Sequence, residues 1–534
     1  MELTQKPPQS QPRELYGRRW WALAVLCLSL VVIGLDNTVL NVALPTLVVD
    51  LKATASELQW IVDAYVLVFA GLLLTAGNLG DRFGRKRALD FGMIIFVIGS
   101  FLAAYAGSSH QLIATRALMG FGGAFIMPST LSILTNIFPP NERGRAIAIW
   151  TAAAGIAVPV GPVVGGWLLG HFWWGSIFLI NVPIIAVALL AGFFLIPESR
   201  DPEHSALDPA GALLSIAGLG ALIYGIIEAP NNGWLSARTL ILFAAALVLL
   251  AAFALWEMRT PRPMLNTRFF RNPRFSAASL SIALVFFALF GSLFFLTQYL
   301  QFVLGYDALK AGMRIVPVAV GILIGAPASV RLVKLFGSKL VVAGGLTIAA
   351  AGLFLMSRTT MTSGYQFIGL SLPLIGLGMG LTMAPATDSV MGSVPRENAG
   401  VGSAMNDMMR QIGGALGVAV LGSVLSTSYA NHVGTFASAL PQPQSDLVSN
   451  SIGAALEVAR RIGGANGQFL ASSANHAFID AMNVTLIAAA GVALFGALVS
   501  LAFLPAEEVP AEYETEDAPT RDEARVPEMG GSHR

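Results

Sequence analysis

The sequence predicts an all-helical polytopic membrane protein, and three observations support this. Of 534 residues, 55% are hydrophobic and only 12% are charged, too little polarity to cover a soluble globule. The apolar residues gather in runs of roughly 20, the length that crosses about 30 Å of hydrocarbon as a helix. Lys and Arg lie between those runs, with a strong bias to one side.

Breaking the chain at clusters of charge, Pro and Gly gives fourteen transmembrane helices. The first seven cover about 19–44, 58–79, 88–107, 111–134, 146–168, 174–196 and 208–229. The second seven cover about 237–257, 276–302, 312–333, 339–357, 364–387, 401–425 and 481–504. The opening "GRRWWALAVLCLSLVV" is too long for an export signal and lacks a small-residue cleavage site, so it reads as an uncleaved first span. Cys27, the single cysteine, excludes a disulfide framework and any cysteine-rich metal site and reads as a packing residue.

Charge placement sets the orientation. With both termini cytoplasmic, 23 of the 32 Lys and Arg fall on inside segments. Seven fall outside (Lys52, Arg238, Lys310, Arg314, Arg358, Arg460 and Arg461), and Arg116 and Arg410 lie within helices. An odd number of spans scrambles this asymmetry.

The basic linker "MRTPRPMLNTRFFRNPR" divides the chain, and the turns "LGDRFGRK" (79–86) and "LVKLFGSK" (332–339) echo one another on either side of it. Two six-helix halves of common ancestry are expected, with two helices inserted between them. The divisions are a cytoplasmic segment 1–18, a bundle 19–200, two additional spans in 201–257, the linker 258–275 and a second bundle 276–504. That second bundle carries a polar extracellular loop 426–480, in which "EVARRIGGANGQFL" suggests a surface helix. The acidic, Pro-containing tail 505–534 reads as disordered and cytoplasmic.

"SLVVIGLDNTVLNVALP" places Asp36 inside an apolar span, where a charge is costly and usually functional. Helical rise sets Asp36 about 12 Å, and Asp63 and Arg116 about 7 Å, below the outer ends of their spans. Three ionisable groups of mixed sign at similar depth suggest a protonatable cluster facing a cavity. Desolvation favours the neutral acid and a nearby Arg favours the anion, so proton occupancy can follow the side to which the cavity opens. On this reading Asp36 carries the proton, Arg116 tunes it, and Asp63 shares it or attracts a cationic substrate. The plainer reading is that Asp36 bonds neighbouring helices through Asn37, Thr38 or Asn41. Asp407 and Arg410 are three apart and neutralise each other. Glu228 and Asp388 fall near span ends.

"GNLGDRFGRKR", residues 77–87, combines Gly77 and Gly84 for a tight turn with Asp81, Arg82, Arg85 and Lys86 for polar bracing. Asp81 can accept from Arg82, Arg85 or a helix N-terminus in the other half. This stretch resembles the cytoplasmic-loop signature G-x-L-x-D-R-x-G-R-K of the major facilitator superfamily. "LDNTVLNVALP" (35–45) resembles the first-span signature of its fourteen-span drug:proton antiporters, the EmrB/QacA-like group. "WIVDAYVLVFAG", "IFLINVP", "LDPAGALL" and "LQFVLGYDALKAGMRIVP" extend the likeness over spans one to ten.

"GPVVGG" is similar to the fifth-span motif that the family associates with exporters. Gly161 and Gly165 stand one turn apart, Gly166 follows, and Pro162 supplies a kink. The family pattern has a further Gly where this chain has Ala157. "RALMGFGGA" (116–124) resembles the fourth-span signature R-x-x-Q-G, whose Arg the family assigns to proton transfer; here Met119 stands at the Gln position.

Span nine aligns Phe287, Phe290, Phe294 and Gln298 on one face, a surface for stacking flat cations or for contacting lipid. The resemblance implies a multi-pass cell-membrane exporter that exchanges protons for amphipathic or cationic drugs by alternating access. No metal or organic cofactor is implied, and the sequence is compatible with a monomer without fixing the oligomeric state. The rival readings are a dedicated exporter of one metabolite, antibiotic, siderophore or lipid, and a membrane-embedded enzyme or ATP-driven pump. No G-x-x-x-x-G-K-[ST] loop occurs, and six His with one Cys form no recognisable metal or nucleophile set. The basic residues fit orienting loops rather than a nucleic-acid stripe.

Overall fold

The computed structural model describes residues 13–505 apart from 201–207, 261–262, 264–266, 395–398, 439 and 443. The expected tail disorder and most of the 1–18 segment lie outside the described residues. In chain order the helices are α1 (Arg13–Asp50), α2 (Ala55–Phe83), α3 (Arg85–Ala104), α4 (Ser109–Ile137), α5 (Pro140–His171), α6 (Ser176–Leu179) and α7 (Asn181–Leu195). Next come α8 (Pro209–Asn232), α9 (Ala237–Arg259), a 3₁₀ turn (Thr267–Arg271), α10 (Pro273–Gln298) and a π-helical turn (Tyr299–Val303). The last are α11 (Ala308–Met356), α12 (Tyr365–Met391), α13 (Ala399–Ala437), α14 (Gln444–Asn450), α15 (Ile452–Ile462) and α16 (Gly464–Phe503).

Hydrocarbon offers no partner for a free backbone N–H, so helices are the available solution and their ends need caps. Thr54 and Glu57 form a reciprocal capping box at α2, and Ser108, Asp208, Ser236, Asn272 and Asp307 cap α4, α8, α9, α10 and α11. Twelve described helices are long and apolar enough to cross a membrane. The 49-residue α11 counts once there, yet its backbone leaves helical values at Gly337 (φ 75°, ψ 160°). That break falls within "LVKLFGSK", where the sequence separates spans ten and eleven. The 32-residue α5 is a further long helix.

The segment 426–480, expected as an extracellular loop, departs from expectation. α13 continues to Ala437 and α16 already begins at Gly464, so most of 426–480 is helix. The stretch "EVARRIGGANGQFL" is not one helix, because Gly463 and Gly464 take positive φ of 64° and 56° between α15 and α16, a conformation that favours glycine. Ile452, Ala455, Val458 and Ala459 of α15 are buried, whereas Arg460 and Arg461 are exposed. Gly453 seats this helix against Val48 of α1 and Phe302 of the π-helical turn. An apolar face therefore folds a segment that looks like loop by composition onto the bundle.

α8 lies against both halves. Ile216 fills the space over Gly71 of α2, and Ser423 of α13 donates to the Ile226 carbonyl at 2.9 Å. At its end Asn231 donates to Ser56 at 2.8 Å, and just beyond it Trp234 donates to Thr427 at 3.3 Å.

Contacts between the halves gather at the end opposite the 77–87 turn. A Cβ on Gly166 meets the backbone of Ala308 and Leu309 at 2.5 Å, and one on Gly312 collides with the Pro162 carbonyl. Gln59 of α2 fills the space over Gly422 of α13. Gln301 donates to the Val42 carbonyl at 2.8 Å. Val42 is three residues before Pro45, whose missing N–H and ring disturb the local helical bonding. These contacts close one end of the molecule.

Candidate functional site

Arg116 of α4 and Asp36 of α1 form an ion pair through Nη1 and Oδ2, each side chain 1% exposed. Asn181 at the start of α7 donates to the other Asp36 oxygen at 3.2 Å and lies within 3.2 Å of the Ser100 hydroxyl. Arg116 Nε donates to the Ile61 carbonyl of α2 at 3.2 Å. The guanidinium lies 4.4 Å from the centroid of the Tyr65 ring and 5.9 Å from that of Phe178. Both charges are thus desolvated and both are partnered, the condition under which a buried pair persists. Met119 Sδ lies 3.8 Å from Nη1, so a soft thioether occupies the position of the family's amide.

Close packing positions the pair. Gly120 and Gly123 of α4 admit Tyr65 of α2, and Gly99 of α3 admits Met119. Gly161 of α5 leaves room for Thr38, and Gly165 for Val39. Thr38 itself donates to the Gly34 carbonyl at 2.9 Å, which holds it within α1.

Asp63 belongs elsewhere. It is fully buried, and neither carboxyl oxygen has a hydrogen-bond partner among the described residues. Tyr65 follows it by two positions, about 200° around the helix, so the ring that covers Arg116 and the Asp63 carboxyl point in opposite directions. Asp63 instead follows Gln59 by one turn, on the face that meets α13. The structure therefore unites Asp36 with Arg116 and leaves the third member of the expected cluster apart.

The 77–87 turn is braced within its own half. Asp81 pairs with Arg85 at 2.6 Å. Gly84 takes φ 121° between α2 and α3, and Glu198 beyond α7 accepts from the Lys86 N–H at 3.2 Å. Arg85 N donates to the Ser199 carbonyl at 2.8 Å, and Lys86 Nζ to the Phe193 carbonyl at 3.1 Å. Arg82 lies 5.3 Å from the Phe83 ring centroid. Gly77 rests against Pro128. Of the partners the sequence offers Asp81, Arg85 is the one this conformation uses.

The aromatic face of α10 turns inward. Phe294 and Gln298 are buried and, with Tyr429, Ile452 and Phe478, line a cavity of about 30 Å³. That holds water but not a drug, whose pockets run about 300–1,000 Å³. Phe290 packs on Gly414 of α13 and stacks on Phe286 at 5.8 Å, and Gly417 accommodates the Phe287 backbone. Asp407 and Arg410 pair at 3.5 Å.

Three residues that contact these candidate positions carry no role in the sequence reading: Asn181, Tyr65 and Glu198. Asn181 had a signal, as an isolated amide in "IFLINVPIIAVALL". Tyr65 and Glu198 had none, because their partners lie on other helices. Among the described residues no cluster of His, Cys, Asp or Glu could hold a metal.

A family model described as Major Facilitator Superfamily matches residues 26–418. The chain is 38% identical to the multidrug efflux pump LfrA of Mycolicibacterium smegmatis, covering 90% of this chain and 95% of that protein. It is 33% identical to the tetracenomycin C resistance and export protein of Streptomyces glaucescens, over 93% and 95% of the two chains. It is also 33% identical to the methyl viologen resistance protein SmvA of Salmonella typhimurium, over 89% and 96%. Among solved structures, an inward-facing, unoccupied bacterial homologue of the human lysosomal transporter Spinster superposes with a TM-score of 0.64 at 19% identity, covering 94% of this chain and 100% of that one. At that identity the likeness speaks for the fold.

Proposed function

The chain belongs to the major facilitator superfamily, and from that premise we propose that this integral membrane protein is a proton-coupled exporter of amphipathic or cationic toxic compounds. It works by alternating access and crosses the membrane fourteen times, with both termini in the cytoplasm. The names of its relatives, a multidrug efflux pump and a methyl viologen resistance protein, support the substrate class. The break in α11 and the length of α5 support the span count.

One observation carries the coupling: the buried Asp36–Arg116 pair lies six residues along α1 from the Val42–Gln301 bond between the halves. A proton on Asp36 removes the anion that Arg116 faces. The guanidinium is then left with one carbonyl and two ring faces, an arrangement costing on the order of 3–5 kcal/mol. α1 must shift to relieve it, and α1 is the helix that seats on Gly161 and Gly165 and meets Gln301. Protonation at Asp36 thereby reaches the outer contacts, about 9 Å along the helix. Asp63 serves as a second acid, one turn from Gln59 at the α2–α13 contact. Without a partner its anion is costly while that contact is closed, and parting the halves solvates it. The Gly77–Lys86 turn braces the cytoplasmic end, and Gly161, Pro162, Gly165 and Gly166 form the outer seat for α1 and α11.

Dye efflux from proteoliposomes under an imposed pH gradient tests this. Efflux should require the gradient and collapse with a protonophore; export that persists without proton counterflow overturns the coupling. A second reading, export of one dedicated antibiotic, is favoured by the relative named for tetracenomycin C export. Survival assays across unrelated toxic cations separate the two, since protection against a single compound supports the dedicated exporter.

A further inference from the structure

We propose that the groove at the outer ends of α11 and α12 binds the phosphate of an anionic phospholipid, in the leaflet opposite the 77–87 turn. The groove is open, encloses about 990 Å³ and is lined by Asp307, Lys310, Arg314 and Tyr365 above Met313 and Leu370. Lys310 and Arg314 stand one turn apart on the same face of α11. Arg314 lies 4.0 Å from the Tyr365 ring centroid, and Lys310 lies 4.4 Å from that of Tyr306. Tyr365 donates to the Arg314 carbonyl at 2.7 Å, fixing the ring under the guanidinium.

Neither cation forms a salt bridge with an acid among the described residues. Asp307 is engaged as the α11 cap, accepting from the Lys310 N–H at 2.7 Å. Ring faces favour a cation but leave its charge uncompensated. Lys310 and Arg314 are also two of only seven Lys and Arg expected outside, against 23 inside, so they run against the positive-inside bias. A counter-charge from outside the protein resolves both facts.

The walls choose the source of that charge. Met313 is 50% and Leu370 63% exposed, so apolar surface continues from the cations outward, where acyl chains lie. The tyrosines hold the depth of the headgroup region, as aromatic belts do. Phosphate takes charge-assisted hydrogen bonds from Lys310 and from the forked Arg314. A cationic drug meets repulsion here, so this groove is distinct from any export path for cations.

The test uses the full-length protein in nanodiscs of phosphatidylcholine with a minor fraction of phosphatidylglycerol, and bound phosphatidylglycerol is read by native mass spectrometry. The Lys310→Gln, Arg314→Gln double variant should bind it about a hundredfold more weakly, the weight of two charge-assisted hydrogen bonds. Arg358→Gln, which removes another outer cation, stacked on Phe354, should leave binding at the parental level. Equal melting temperatures in pure phosphatidylcholine establish that the variants are folded; if the double variant is not, each single variant should show a smaller loss. Parental binding by the folded variants, or an equal loss in Arg358→Gln, overturns the site. Full displacement by inorganic phosphate at the lipid's own concentration overturns the lipid assignment in favour of a free anion.

Discussion

Asp36 and Arg116, 80 residues apart in the chain, meet as an ion pair with both side chains 1% exposed. Removing one partner of such a pair leaves the other charged and buried, which is worse than removing both. Asp36→Asn should therefore abolish pH-driven efflux and lower the melting temperature. Asp36→Asn combined with Arg116→Gln should recover the melting temperature without recovering efflux. Recovery of efflux in the double variant would show that the pair is structural.

Asn181 holds the second oxygen of Asp36 and reaches Ser100. Asn181→Ala removes two hydrogen bonds worth about 1 kcal/mol each. Proton-driven efflux is expected to slow several-fold, with expression and folding retained. An unaltered efflux rate would place Asn181 outside the coupling machinery.

The outer seat depends on backbone approach. Gly166→Val puts side-chain atoms where Ala308 and Leu309 already stand. The expected result is failure to close the outer end and loss of export. Labelling reports it: in a Cys27→Ser background, Gln59→Cys should react with a membrane-impermeant thiol reagent in the Gly166→Val protein and be shielded in its absence. Equal labelling of the two would rule out that seal.

Phe294 and Gln298 line the small cavity beneath α15. Phe294→Leu preserves most of the volume, so a packing role predicts a cost of roughly 1 kcal/mol and an unaltered substrate profile. A role in the export path predicts a changed ranking of toxic cations in resistance assays. The latter is expected, because parting of the outer ends enlarges that cavity.

At the end of the molecule that holds the 77–87 turn, Glu142 precedes the expected span 146–168 and accepts from Arg19 through both oxygens at 2.7 and 2.9 Å. These hydrogen bonds hold the Glu142 carboxyl below its ordinary range. A lowered folded value stabilises the protein above the unfolded value and is lost as pH falls through the folded one. The melting-temperature gap between the parent and Glu142→Gln should accordingly shrink as pH drops through the carboxylate range. A gap independent of pH would mean that the pair contributes nothing through charge.

The helical membrane fold was legible because hydrocarbon imposes it: long apolar runs, sidedness of Lys and Arg, and the glycine-marked turns at 77–87 and 332–339 are local signals that need no partner. Asp36 and Arg116 were legible for the same reason, as charges where charge is costly. The outer segment was not, because its polar composition conceals the apolar face of α15 until Val48 and Phe302 are placed against it.

What the sequence by itself determined is that the chain is an all-helical membrane protein and which charges stand inside its apolar runs. Only the tertiary structure decided that Arg116 takes Asp36 and not Asp63, that Asn181 completes the pair, and that Asp81 turns to Arg85. Spacing along a helix fixes the face a side chain presents, whereas its partner depends on which helix lies opposite. That is set by glycine-mediated packing between segments far apart in the chain.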